Sequence, residues 1–337
     1  MARSKKTLSI VLATYNGSKY IEAQLRSLAN QTVIPDELLV SDDNSSDETV
    51  EILEHFQRES RFPVKIMRRV PALGFRENFL RTSLEARSDF IAFCDQDDIW
   101  REDKIEKCSK YFENKNISMI IHPAETIDKF SNTIGKFRQN VKGTVIKRPL
   151  SYDLWSTFWG FSIVYRRKLL DVFPIECRFL DYISPDHRVA HDRWITFIAQ
   201  MVGSTVEIDE SLVKYRQHDN NLYGQGLSET FRITSNIVER TDLYIEIGLH
   251  MLAIINSLDA ENVRNFPLYE KSKCAAFVEK AVEKLQNRRE IYLPKSKMKS
   301  IVNAYVAVLS GAYISLDNNS FRWKSLARDL HFAAFRN

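Results

Sequence analysis

Up to about residue 120, short apolar runs alternate with stretches whose apolar residues recur every three or four positions. Leu8 to Ala13 (Leu-Ser-Ile-Val-Leu-Ala) is a β-branched apolar run of the length that a strand buried on both faces requires. Thr14-Tyr15-Asn16-Gly17 then reads as a turn. Ser18 is placed to cap a helix whose stripe is Ile21, Leu25 and Leu28. Leu38-Leu39-Val40 predicts a second strand. Val50, Leu53 and Phe56 predict a second amphipathic helix, with Ser46 or Asp47 as its cap. Val64 to Met67 reads as a third strand, Phe79 to Leu84 as a third helix, and Phe90 to Cys94 as a fourth strand.

Repeated strand, helix and strand is the pattern of a parallel sheet with helices on both faces. Such sheets bind ligands at the carboxyl ends of their strands. Here those ends carry Thr14-Tyr15-Asn16, Asp42-Asp43 and Asp95-Gln96-Asp97-Asp98, so three polar clusters should meet on one edge. From about 130 to 225 the pattern is less regular and aromatic-rich, and beyond about 230 it is helical. The expected fold is α/β: a mainly parallel sheet flanked by helices, followed by a helical C-terminal region.

Composition narrows the function classes. The 337 residues are 44% hydrophobic and 27% charged, as in a folded globular protein, and 10 glycines with 9 prolines argue against a linker-dominated chain. A net charge of +4, with no Arg-rich run interleaved with aromatics, gives no reason to expect nucleic acid as a partner. Cys94, Cys108, Cys177 and Cys274 show no Cys-x-x-Cys spacing, so reduced thiols are expected rather than zinc ligands or disulfides. The basic N-terminus is too polar for a signal peptide, and no run of about 18 apolar residues occurs, which predicts a cytoplasmic protein without a membrane span. Basic stretches such as Lys295-Ser-Lys-Met-Lys299 mark the helical part. Its tail places Phe321, Trp323, Leu326, Leu330 and Phe332 among Arg322, Lys324 and Arg328. That tail suits an anionic membrane surface, and equally suits packing on the catalytic domain or in a homodimer.

Three aspartates in four residues repel one another unless a cation or hydrogen-bond donors neutralise them. Hard oxygen ligands suit Mg²⁺ or Mn²⁺, whose coordination is usually completed by substrate phosphates. The competing reading is a solvated loop capping the helix near Lys104. In the loop Asp42 to Asp47, turn chemistry and ligand contact can coexist, with Asp43 the residue for the ligand.

Ser9-Ile-Val-Leu-Ala-Thr-Tyr-Asn-Gly17, Ser41-Asp-Asp-Asn-Ser-Ser-Asp47 and Phe93-Cys-Asp-Gln-Asp-Asp-Ile-Trp100 together resemble the N-terminal half of family 2 inverting glycosyltransferases of the GT-A fold. The Asp-Gln-Asp-Asp-Ile-Trp form is similar to rhamnosyltransferase-like members that build bacterial O-antigen, capsule and other surface polysaccharides. The resemblance spans roughly residues 7 to 225. It implies that Ala13 and Tyr15 cradle a nucleotide, that Asp43 reads its base, and that Asp95 and Asp97 form the Asp-x-Asp pair, with Asp97 the direct metal ligand. Leu73 to Asn78 looks like the family's Asn-x-Gly segment, with Ala72 where Asn is commoner; Asn78 is a further candidate contact. Ala190-His191-Asp192-Arg193-Trp194 resembles the base segment, His-Asp replacing the usual Glu-Asp, and implies Asp192 as the general base. A cap for the helix through Trp194-Ile-Thr-Phe-Ile, with His191 merely packed, is the alternative.

Tyr215 to Asn221 resembles the segment after the last core strand, where His218 or Arg216 could reach diphosphate or metal. Trp155 and Trp159-Gly160-Phe161 could line an acceptor pocket or belong to the core, and Trp100 is equally open. The Gln-x-x-Arg-Trp motif of processive synthases is absent, so single-sugar addition is expected. The resemblance implies a dTDP- or UDP-sugar donor, a carbohydrate or lipid-linked glycan acceptor, a catalytic domain over 1–228 (donor half 1–122, acceptor half 123–228) and helices over 229–337. A nucleotidyltransferase would need a Gly-rich loop after the first strand, which Ala13-Thr-Tyr-Asn-Gly17 is not. A scaffold of the same fold without activity is the remaining rival.

Overall fold

Strand β1 (Leu8–Thr14) lies at the centre of the molecule, and all its residues but Ala13 are buried, as its run of apolar and β-branched side chains dictates. The computed structural model describes residues 5–218, 237–294 and 296–335. The expected boundary at 228/229, the segment Asp219-Asn220-Asn221 and Lys295 lie outside the described residues. On either side of β1 run β2 (Glu37–Asp42) and β4 (Phe90–Cys94), both parallel to it, and β3 (Val64–Arg68) pairs parallel with β2. Helices α1 (Ile21–Ala29), α2 (Thr49–Glu59) and α3 (Phe75–Leu84) connect them.

Two local details differ from expectation, and a third selects between two expected caps. Ser18 is not the cap of α1: it sits in a turn where the Gly17 carbonyl accepts the N–H groups of Tyr20 and Ile21, both at 3.0 Å, and its own N–H donates to Asp47 Oδ2 at 3.0 Å. Asp47, rather than Ser46, closes the start of α2, its Oδ1 accepting the Thr49 N–H at 3.1 Å. Helix α3 begins four residues before Phe79, because Gly74, at φ 77°, turns the chain straight into it.

The rest of the chain contributes β5 (Ile99–Trp100), α4 (Lys104–Ser109), β6 (Ile117–Ile121), β7 (Ala124–Ile127), β8 (Thr133–Phe137), β9 (Val145–Lys147), β10 (Val164–Arg166), α5 (His191–Val202), β11 (Ser204–Glu207) and β12 (Val213–Arg216). The main sheet runs β3-β2-β1-β4-β10-β6-β11-β9, mixed because β10 is antiparallel to both β4 and β6. A second sheet, β5-β12-β7-β8, stands beside it. Helices α6 (Ile237–Asn256), α7 (Ala260–Val263), α8 (Lys271–Tyr292), α9 (Lys297–Leu309) and α10 (Trp323–Phe335) follow.

One large core joins the sheet to the C-terminal helices, with Trp194 and Phe197 of α5 in contact with a layer that includes Met251 of α6 and Val278 and Val282 of α8. Gly248 lets α6 approach α8 closely, since a Cβ there would lie 2.5 Å from Val282 Cγ2. Each such fully buried aliphatic side chain contributes about 1.5–3 kcal/mol. A separate small core (Ile291, Tyr292, Ala304, Tyr313, Ala333) underlies α9 and α10.

Candidate active site

The register of the parallel strands sets the site. Thr14 pairs with Asp42 and Leu12 with Cys94, so the segments beginning at Tyr15, Asp43 and Asp95 leave the sheet at the same edge, as the sequence predicts. Tyr15 is 58% exposed there, and Ala13 is half-buried one step inside the edge. Gln96 ties two of these segments together: its Oε1 accepts the Tyr15 N–H at 2.8 Å and its amide donates to the Tyr15 carbonyl at 3.0 Å. Gly17 is required beside it, because a Cβ would fall 2.3 Å from Gln96 Oε1.

Asp43 is buried, and its two oxygens accept the N–H groups of Leu73 (2.6 Å) and Gly74 (2.8 Å). It therefore anchors the loop entering α3, and each oxygen keeps acceptor capacity. Asn78 is corrected by the structure. It is only 1% exposed, and its amide donates to the Ser41 carbonyl at 2.9 Å, so it braces β2 from behind instead of facing the edge.

The acidic turn is held from the second sheet. Antiparallel pairing of β12 with β5 brings the Arg216 N–H to Asp98 Oδ1 (3.0 Å) and its Nε to the Asp97 carbonyl (2.7 Å). Arg216 is buried and its guanidinium also lies over the Tyr20 ring, so it shapes the turn and does not reach outward. It belongs to β12 itself rather than to a segment beyond the last strand. His218 stacks on Tyr20 and places Nε2 2.9 Å from Asp97 Oδ2.

Burial, together with Asp97 and Asp192, pushes the Asp95 carboxyl up to about 7. Burial, then Asp97 and Asp95, drives Asp98 well above the carboxylate range, and its Oδ2 has no hydrogen-bond partner. Behind the turn Lys104 is itself buried, donating to the Phe161 carbonyl at 2.8 Å and lying over the Trp100 ring; burial lowers it to about 8. This edge concentrates acidic groups whose charged forms burial and mutual repulsion disfavour. Among the described residues no three His, Cys, Asp or Glu side chains converge into a metal cage. Two carboxylates on an open edge fit a hard divalent cation completed by phosphate oxygens.

Asp192 lies in the first turn of α5, where the helix dipole favours a carboxylate. Its charge, after burial and Asp97, helps raise the Asp95 carboxyl, so the two carboxyl groups are near enough to interact. His191 is core: it stacks on Phe79 with ring centroids 4.1 Å apart, meets Phe93 edge-on, and makes no hydrogen bond through either ring nitrogen. Burial lowers it to about 4. Next to Asp192, Arg193 makes two bonds (2.8 and 2.7 Å) to the fully buried Asp181, which also pairs with Arg76 of α3 at 3.3 Å. That carboxylate couples the start of α5 to the start of α3. Asp181, Gln96 and the buried Lys104 carry no local sequence signal for these bonds, whose partners Arg76, Tyr15 and Phe161 lie 105, 81 and 57 residues away.

Phe161 is buried core, and Trp100 is core under Lys104. Trp159 packs edge-on to Phe137, and Trp155 packs edge-on to Tyr182 and Tyr244, the latter on α6.

Sheet order and the acidic turn beyond the fourth strand place the molecule among the GT-A glycosyltransferases. Residues 9–173 match the family described as "Glycosyl transferase family 2". The chain belongs to that family and is a sugar transferase. It is 36% identical over 230 residues to the UDP-Glc:alpha-D-GlcNAc-diphosphoundecaprenol beta-1,3-glucosyltransferase WfgD of Escherichia coli, covering 67% of this chain and 83% of that one. It is 27% identical over 234 residues to the dTDP-rhamnosyl transferase RfbG of Shigella flexneri, covering 64% and 75%. The structure of Staphylococcus aureus TarS 1–349 in complex with UDP-GlcNAc superposes with a TM-score of 0.56 at 16% identity, over 97% of this chain and 90% of that one, a likeness of fold. No described helix is long and apolar enough to cross a membrane.

Proposed function

We propose that the protein transfers a single hexose or rhamnose from a UDP- or dTDP-sugar to a hydroxyl of a glycan or lipid-linked acceptor, with inversion, in bacterial surface-polysaccharide synthesis. The observation that carries this reading is that Asp95, at the edge where β1, β2 and β4 end, has its carboxyl raised in part by the charge of Asp192. Tyr15, Ala13 and Asp43 form the nucleotide side of that edge, Asp43 accepting from the base with its remaining lone pairs. Asp97, with Asp95, would hold Mn²⁺ or Mg²⁺, which neutralises charge on the departing diphosphate. His218 steadies Asp97, within reach of the same diphosphate. Asp192 removes the acceptor proton as the hydroxyl attacks the anomeric carbon from the face opposite the nucleotide. WfgD and RfbG support two donor types, UDP-glucose and dTDP-rhamnose. The catalytic unit is read as 1–228 and the helical region as 229–337.

The test is product formation from UDP-glucose and dTDP-rhamnose with a lipid-diphosphate-linked sugar acceptor, the product's anomeric configuration read by NMR. A product with the anomeric centre inverted relative to the donor supports the reading; retention, or no transfer from any nucleotide sugar, overturns it.

A further inference from the structure

Helix α9 is amphipathic the wrong way round for a helix of a free-standing protein. Its buried positions are Ser300, Ala304 and Ala307. Val308 packs partly against the small core, but Met298, Ile301, Val302, Tyr305, Val306 and Leu309 are between 44% and 72% exposed. Surface helices ordinarily bury the apolar stripe and expose the small and polar one. Its neighbour α10 is mixed: Asp329 and Ala333 are buried and Leu326 and Phe332 pack partly against the small core, while Trp323 and Phe335 are each 71% exposed. Asp329 has a reason to be inside, since Arg288 and the Tyr313 hydroxyl bond to it at 2.8 and 2.9 Å. The pair is thus fixed by a small core and a buried ion pair, with most of the apolar side chains of α9, and Trp323 and Phe335 of α10, turned out. An exposed apolar surface of this extent marks a contact surface.

Charge selects the occupant. Neither helix has an acidic residue other than the buried Asp329. Lys297, Lys299, Lys324 and Arg328 are exposed around the apolar stripe. A second copy meeting this face would bring like charges together, whereas an anionic lipid surface neutralises them and accepts the apolar side chains between its headgroups. Tyr305 and Trp323 are side chains suited to that interfacial depth.

We propose that the outer face of α9 and α10 seats the protein on a membrane rich in anionic phospholipid, lying in the interface without crossing it. The proposal is independent of the transfer reaction.

The full chain, without donor or acceptor, is sedimented with vesicles of phosphatidylcholine alone or mixed with phosphatidylglycerol. Wild type should sediment with the mixed vesicles, not with the neutral ones, and be released by salt. Val302→Glu with Val306→Glu should abolish sedimentation while circular dichroism and the melting temperature stay unchanged. If that pair perturbs folding, Lys297→Gln and Lys299→Gln keep the test open, each lowering the partition about fivefold. Absence of sedimentation by the wild type, equal sedimentation of the glutamate variant while folded, or a dimer by light scattering that this variant dissociates, overturns the proposal. Because no nucleotide or acceptor is present, such a failure leaves the proposed transfer reaction untouched.

Discussion

The strand-end edge and the α9–α10 layer are opposite kinds of unfinished surface. At the edge the chain gathers charge, with Asp95, Asp97 and Asp98 in one turn and burial raising Asp95 to about 7. In the α9–α10 layer it turns apolar side chains to water and buries an aspartate beneath them. Each is costly when left alone and relieved by a partner: a cation with a diphosphate at the edge, an anionic lipid surface at the helices. The difference teaches that a buried charge and an exposed hydrophobe carry the same information, namely where a molecule of stated chemistry belongs.

Perturbations should separate the two regions. The largest effect belongs to Asp192→Asn, which should cut turnover by about 10²- to 10⁴-fold, leave nucleotide affinity unchanged and leave vesicle binding intact. Near-normal kcat in that variant would remove Asp192 from the chemistry. Asp329→Ala should act the other way. It leaves the Arg288 guanidinium unpaired in a buried position, at a cost of about 3–5 kcal/mol in urea unfolding, and should reduce vesicle binding more than transfer to a soluble acceptor.

Acidification offers a third handle, through His191. Its folded value of about 4 lies below the ordinary 6.5, so the unfolded chain binds the extra proton first. Stability should therefore be full above pH 6.5 and fall between about 6.5 and 4, by about 3 kcal/mol over some 2.5 units at 1.36 each. Asp95 acts oppositely. Raised from 3.8 to about 7, it makes the native state the better proton binder between those values, so its contribution declines as pH rises, and a bound cation should cancel that decline. Thermal melts of wild type and His191→Phe across this range, with and without Mn²⁺, should show the histidine slope vanish in the variant and the Asp95 slope vanish with metal. The smallest effect is Gln96→Ala, which loses two hydrogen bonds to the Tyr15 main chain, about 1 kcal/mol each, and should weaken nucleotide binding with little change in kcat.

The parallel half of the fold was legible because its strands are apolar runs and its helices carry three- and four-residue stripes. Leu8–Thr14, Glu37–Asp42 and Phe90–Cys94 need only local pattern to be seen, and their alignment follows from the topology. The second sheet was not legible. Its β5 is two residues long and its β12 four, and both are strands because of partners remote in the chain. Partners remote in the chain likewise hid the bonds of Arg216 to the acidic turn, the link of Asp181 to Arg76 and the bond of Lys104 to Phe161. Motif position carried Asp43, Asp95, Asp97 and Asp192 to the edge, but misjudged Asn78, whose place in the first turn of α3 faces it inward. The tail was seen as amphipathic. Inside it are Asp329, bonded to Arg288 and Tyr313, and the partly buried Leu326 and Phe332, an arrangement set by remote partners that periodicity does not reveal.

The central claim is that the acidic edge is a cation and diphosphate site, and calorimetric titration of UDP and dTDP into wild type and Asp97→Ala, with and without Mn²⁺, tests it most directly. The account predicts that one of the two nucleotides binds wild type, that Mn²⁺ strengthens the binding, and that Asp97→Ala abolishes the Mn²⁺-dependent gain while the protein stays folded. Binding of neither nucleotide, or a gain from Mn²⁺ that survives Asp97→Ala unchanged, would contradict it.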